Sequence, residues 1–140
     1  MLAFTAGVLT AYVLAAVAAT QAVMARLAEM GIDVTPGDRL RTTLQDLVGM
    51  AELFLPIIAV AFLIAFPVAA LISRYVPKLR AIGYPLAGGV ALLAIHLILH
   101  ATFGTTPVAA ARTAGGLGWQ VMAGALGGLV FLRVLPRPSA

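Results

Sequence analysis

Four long apolar blocks, separated by short polar or proline-bearing stretches, decide what this chain can fold into. They cover roughly 3–25, 52–73, 82–103 and 117–135. A bilayer presents about 30 Å of hydrocarbon, which a helix crosses in roughly 20 residues. Only a helix closes its own backbone hydrogen bonds along such a path. Each block is therefore predicted to be a membrane-spanning α-helix. Composition supports this, since 62% of the residues are hydrophobic and only 10% are charged. A soluble domain of this length needs a larger polar shell. The predicted fold class is an all-α integral membrane protein: one four-helix bundle over 1–140, with short loops and no soluble domain.

The first block begins near the N-terminus, where a cleaved signal peptide is the competing reading. It runs apolar from Leu2 to about Leu27 with no Lys or Arg before it. That exceeds the short apolar core of a signal peptide, so a retained span is expected.

Between the first and second spans the pattern changes. Thr35-Pro36 reads as a helix start, with Thr35 as N-cap and Pro36 at the first helical position. Leu40, Leu44, Leu47, Val48 and Ala51 then recur at helical spacing, with Asp38, Arg39, Gln45 and Asp46 on other faces. The segment 36–49 is thus an amphipathic helix. It either lies along the membrane surface or extends the second span out of the bilayer. Gly49 is the expected bend, and Pro56 and Pro67 are expected to kink the second span.

The formal charge of +4 does not indicate nucleic acid, because the basic residues sit at span ends instead of forming one basic face. Arg74, Lys78, Arg80, Arg133 and Arg137 fall on the side of the short basic turn. Arg26, Arg39, Arg41 and Arg112 fall on the other, together with the five acidic residues. Both termini are accordingly expected in the cytoplasm, with the chain in a bacterial inner membrane. Cysteine is absent, which excludes disulfides, thiolate metal sites and thiol redox chemistry.

Small residues mark the expected helix contacts, since helices in lipid approach closely only where side chains are small. The fourth span carries Gly116, Ala123, Gly124, Gly127 and Gly128 on one broad face. The third carries a ladder of Gly83, Ala87, Ala91 and Ala94, and the first carries Ala11, Ala15 and Ala19.

Polar residues inside spans are costly and are the candidates for function. They are Gln21, Glu52, His96, His100 and Gln120. Because the spans alternate in direction, all of them fall in one leaflet, with Trp119 at the same level. His96 and His100, four positions apart, share a helix face. These residues form a candidate polar pocket. Its histidines can hold one divalent metal, with Glu52 as a candidate third ligand, or meet a haem, a quinone head group or a proton. The plainer alternative is that His100 meets head groups and the glutamines tie helices together. No cofactor is the expectation.

Several activities lack their residues. No phosphate-binding glycine loop followed by Lys and Ser/Thr is present, and no H-E-x-x-H. Ser73 and Ser139 lie on the opposite side from the histidines, and the first span has no carboxylate. The expected function is a non-catalytic accessory subunit of a larger membrane complex, with 38–51 as its docking surface. The expected partners are the bilayer and other membrane subunits or copies of the chain itself. The alternatives are a self-assembling transporter or channel for a proton or small solute, and a redox or metal-binding component using His96 and His100.

Overall fold

A computed structural model describes residues 1–105 and 108–136. The loop residues 106–107 and the tail 137–140, including Arg137, lie outside the described residues. The chain is all-α, with no strand among the described residues. Its elements are α1 (Leu2–Glu29), α2 (Pro36–Gly49), α3 (Ala51–Tyr75), α4 (Arg80–Phe103) and α5 (Ala114–Val134), with short 3₁₀ turns at Pro77–Leu79 and Ala109–Arg112. Four of these are long and apolar enough to cross a membrane, and α2 is not among them. Helical structure runs through Pro56, Pro67 and Pro85.

In the bundle α5 lies between α1 and α4, and α3 packs chiefly on α4. Close backbone approach at α5 explains this order. A Cβ added to Gly124 would collide with the Gly88 carbonyl on α4, and one added to Gly128 with the Tyr84 carbonyl. On the α1 side, a Cβ on Gly127 would stand 2.6 Å from the Gly7 carbonyl oxygen and 2.7 Å from Ala11 Cβ. The helix is thus wedged between two neighbours by glycines on two adjoining faces. On α4 the tight position is Gly88, whereas Gly83 would make only ordinary contact with Ser73 of α3. Ala91 is buried and Ala87 half-buried beside them.

The bundle is layered along its length. At the end holding the start of α1 and the basic turn, aromatic rings fill the interior. Phe66 stacks on Phe131 at 4.3 Å between centroids and lies 4.5 Å from Phe62, while Tyr84 stands 5.2 Å from Phe131. Glycine and alanine occupy the middle. The buried polar side chains Thr20, His96 and Gln120 lie toward the other end.

That end also holds α2. Thr35 accepts from the Asp38 backbone N–H, and the Asp38 carboxylate accepts from the Thr35 N–H in return, a capping box that starts the helix with Pro36 at its first position. The Asp38 carboxyl is held below the ordinary carboxylate range, chiefly by its hydrogen bonds from Thr35. The far end of α2 does not turn away. Met50 keeps right-handed helical angles, its N–H donates to the Asp46 carbonyl, and its own carbonyl accepts from Phe54. A one-residue break therefore joins α2 to α3, and α2 extends the second span. The pairs Phe4–Phe66, Tyr12–Phe54, Thr20–Asp46 and Gln21–Thr43 run in opposite numerical order. Hence α1 is antiparallel to both α3 and α2. With 28 residues, α1 is roughly 42 Å long and outruns the hydrocarbon by roughly 12 Å. Its last turns are the ones that α2 covers.

Candidate functional site

Of the five polar candidates, the fold brings two together. His96 on α4 and Gln120 on α5 are buried at 2% and 0% exposure. They stand side by side where the α4–α5 and α1–α5 contacts meet. Gln120 Nε2 donates to the Ala15 carbonyl of α1 at 3.0 Å, so the amide ties α5 to α1 at a level where glycine no longer holds them. Gln120 is the polar neighbour of the His96 imidazole, and among the described residues no hydrogen bond of full geometry closes on its Oε1 or on either imidazole nitrogen. The Phe54 ring closes the imidazole off from α3, at 6.1 Å between ring centroids. An imidazole N–H turned onto Oε1 pairs two of these atoms, and each one left unpaired in the interior of a membrane bundle costs on the order of 1–3 kcal/mol.

The other three candidates sit elsewhere. Gln21 belongs to the α1–α2 contact, where its Nε2 donates to Thr43 Oγ1 at 3.2 Å and its Oε1 accepts from Arg39 Nη1 at 2.9 Å. Glu52 is exposed in the first turn of α3, where a carboxylate complements the helix dipole. His100 is exposed one turn beyond His96 and lines a shallow crevice with Gly104, Thr105 and Arg112. Among the described residues no three His, Cys, Asp or Glu side chains converge as metal ligands.

A second polar group was not among the sequence candidates. The Thr20 hydroxyl of α1, 1% exposed, donates to Asp46 Oδ2 of α2 at 2.7 Å. Tyr12 donates to the Leu47 carbonyl, in the stretch where the helical ladder passes through the break at Met50. This satisfies a carbonyl of the kind that helix ends leave unpaired. Together with the Gln21 contacts, these bonds fix α2 to α1. Yet α2 buries no residue at all. Leu40, Leu44 and Val48 are 64%, 56% and 76% exposed, and they form a stripe along it. The signal in the sequence was the polar pairing potential of Thr20 with Asp46. Without the knowledge that α2 folds back along α1, it could not be read.

Between α1, the α2–α3 junction and the end of α4 lies a cleft of about 620 Å³. Its walls are apolar apart from Asp46 and Thr105. Trp119, 62% exposed, faces outward at the same end of the bundle. Comparison with protein-family models, curated protein sequences and solved structures finds no match to this chain.

Proposed function

We propose that this chain is a non-catalytic subunit of a larger membrane complex, and that α2 is the element by which it docks. The observation that carries the reading is the build of α2. A helix with no buried residue is nevertheless held in place by four side-chain hydrogen bonds, from Tyr12, Thr20, Gln21 and Arg39. Such a set fixes the orientation of Leu40, Leu44 and Val48. An apolar stripe preorganised in this way loses little further entropy on meeting a partner. The proposed occupant is the extramembrane or interfacial face of another membrane protein, with an apolar seam rimmed by acid groups to meet Arg41. The scattered positions of Glu52, Gln21 and His100 favour this reading over a shared transport path.

In the proposed setting the membrane is a bacterial inner membrane, with the basic turn and both termini cytoplasmic and α2 on the opposite side. The basic residues Arg74, Lys78 and Arg80 support that orientation. Because the chain lacks cysteine, single substitutions report it cleanly. An impermeant maleimide is expected to label Asp33→Cys in intact cells or spheroplasts and Lys78→Cys only after permeabilisation. The reverse pattern overturns the orientation.

Gentle detergent extraction from the native membrane tests the docking reading, with the particle's mass, its protein composition and its absorption spectrum taken on one sample. Unrelated membrane proteins in fixed stoichiometry, lost when Leu40 and Leu44 are both changed to Gln, are the expected result. A particle of this chain alone contradicts it. A haem band or bound metal in that lone particle moves the function to His96 and His100.

A further inference from the structure

The cleft beside the α2–α3 junction has a chemical asymmetry that the docking reading does not use. Val23, Leu53, Ile57, Leu99 and Phe103 give it apolar walls, and Phe54 separates it from His96. Among the described residues, the one charged residue lining it is Asp46. Its Oδ2 accepts the Thr20 hydroxyl, which leaves acceptor positions on a carboxylate that has about four. Arg39, on the same side of α2, is hydrogen-bonded to Gln21 instead. Asp46 also stands at a particular depth, less than two turns ahead of Ala51, the first residue of α3. The cleft therefore carries a carboxylate near head-group level and apolar walls running from there into the span.

We propose that this cleft binds an amphiphile with an ammonium head, the head against Asp46 and the chain along Leu53, Ile57, Leu99 and Phe103. Its volume of about 620 Å³ suits the head and one alkyl chain of such a ligand. The charge supplies the selectivity, because an anionic head of equal size meets the carboxylate with repulsion. Two sources share this chemistry: an aminophospholipid of the bilayer and a soluble single-chain alkylamine. The inference does not depend on the docking role of α2.

Native mass spectrometry of the full chain in a neutral detergent tests it. The probes are phosphatidylethanolamine, phosphatidylglycerol with the same acyl chains, and dodecylamine. Phosphatidylethanolamine or dodecylamine is expected to be retained about ten-fold more than phosphatidylglycerol, the discrimination of one desolvated charge contact. Retention of phosphatidylethanolamine assigns the bilayer lipid, and retention of dodecylamine alone assigns the soluble amphiphile. Asp46→Asn is expected to abolish the head-group preference while leaving non-selective chain adducts. Ile57→Trp is expected to fill the cleft and remove both. Equal retention of phosphatidylglycerol by the unaltered protein overturns the proposal whether or not either variant folds. So does a preference that survives in a folded Asp46→Asn protein.

Discussion

The two ends of α1 are held by opposite means. Along its first half, α1 meets α5 through Gly7, Ala11 and Gly127, where backbones touch and no side chain fits between them. Along its last turns it meets α2 through Thr20, Gln21 and their partners, where side chains reach across and no residue of α2 is buried. Inside hydrocarbon there is no hydrophobic drive between helices, so contact is won by close packing. Past the hydrocarbon, water competes for every polar group, so each bond contributes only about 0.5–1.5 kcal/mol net. The first contact is rigid and intolerant of change. The second is adjustable, and it leaves the apolar face of α2 uncovered.

The largest expected effect is on the glycine side. Gly124→Leu places side-chain atoms where the Gly88 carbonyl stands, and the backbone opposite has nowhere to shift. A loss of more than about 3 kcal/mol, or failure to assemble, is expected in a denaturation titration. Gly83→Leu, against Ser73, should lose far less. Similar losses at both positions would break the distinction between tight and ordinary contacts on α4.

His96→Leu should act in the opposite direction. It removes two buried nitrogens on which no hydrogen bond of full geometry closes and keeps most of the packing against Phe54. Stability is expected to rise by about 1–2 kcal/mol. A fall of that size would mean that the imidazole is satisfied in the working protein, by Gln120 or by a ligand.

On the α2 side, Asp46→Ala should cost about 1 kcal/mol and confine its effect to α2. Amide exchange at 36–49 should accelerate while α5 stays protected. If α5 accelerates as well, the two contacts are one cooperative unit and the contrast fails. The smallest effect belongs to the helix start. Thr35→Ala removes the cap and should weaken the first turn of α2 by about 1 kcal/mol or less. Acid should act at the same place. The Asp38 carboxyl titrates lower in the folded chain than in the unfolded one, so its contribution is present above the unfolded value and lost as pH falls through the folded one. Protection at 36–40, taken relative to the intrinsic exchange rate at each pH, is expected to fall on that descent and to hold in alkali.

The spans were legible because length and hydropathy bound them. The reading of 52–73 meets α3 at Ala51–Tyr75, and 36–49 coincides with α2 because Thr35 and Pro36 announce a helix start in local chemistry. The glycines of α5 were legible as a packing face. Their partner on α4 was not: the Gly83, Ala87, Ala91 ladder stood out, whereas the backbone contact falls at Gly88. Small residues on α4 occur on more than one face, and only helix order decides which face meets α5. The polar residues failed as a set for the same reason. Depth along a span can be counted from sequence, so His96 and Gln120 fall at one level. Azimuth around the bundle cannot, so Gln21 and Glu52 were grouped with them although they face α2 and the outside. Likewise, Asp46 reads as an ordinary polar residue of an amphipathic helix until α2 is seen to run back along α1.

The central claim is that α2 presents its exposed stripe to a partner protein. Photocrosslinking in the native membrane addresses it most directly, with a benzophenone side chain at Leu44 and, as a control, at Leu63, 63% exposed on the apolar span α3. The account predicts that Leu44 yields an adduct with a protein that also co-purifies in fixed stoichiometry, while Leu63 yields lipid adducts. Lipid adducts at both positions would contradict it and set the α2 stripe against lipid instead.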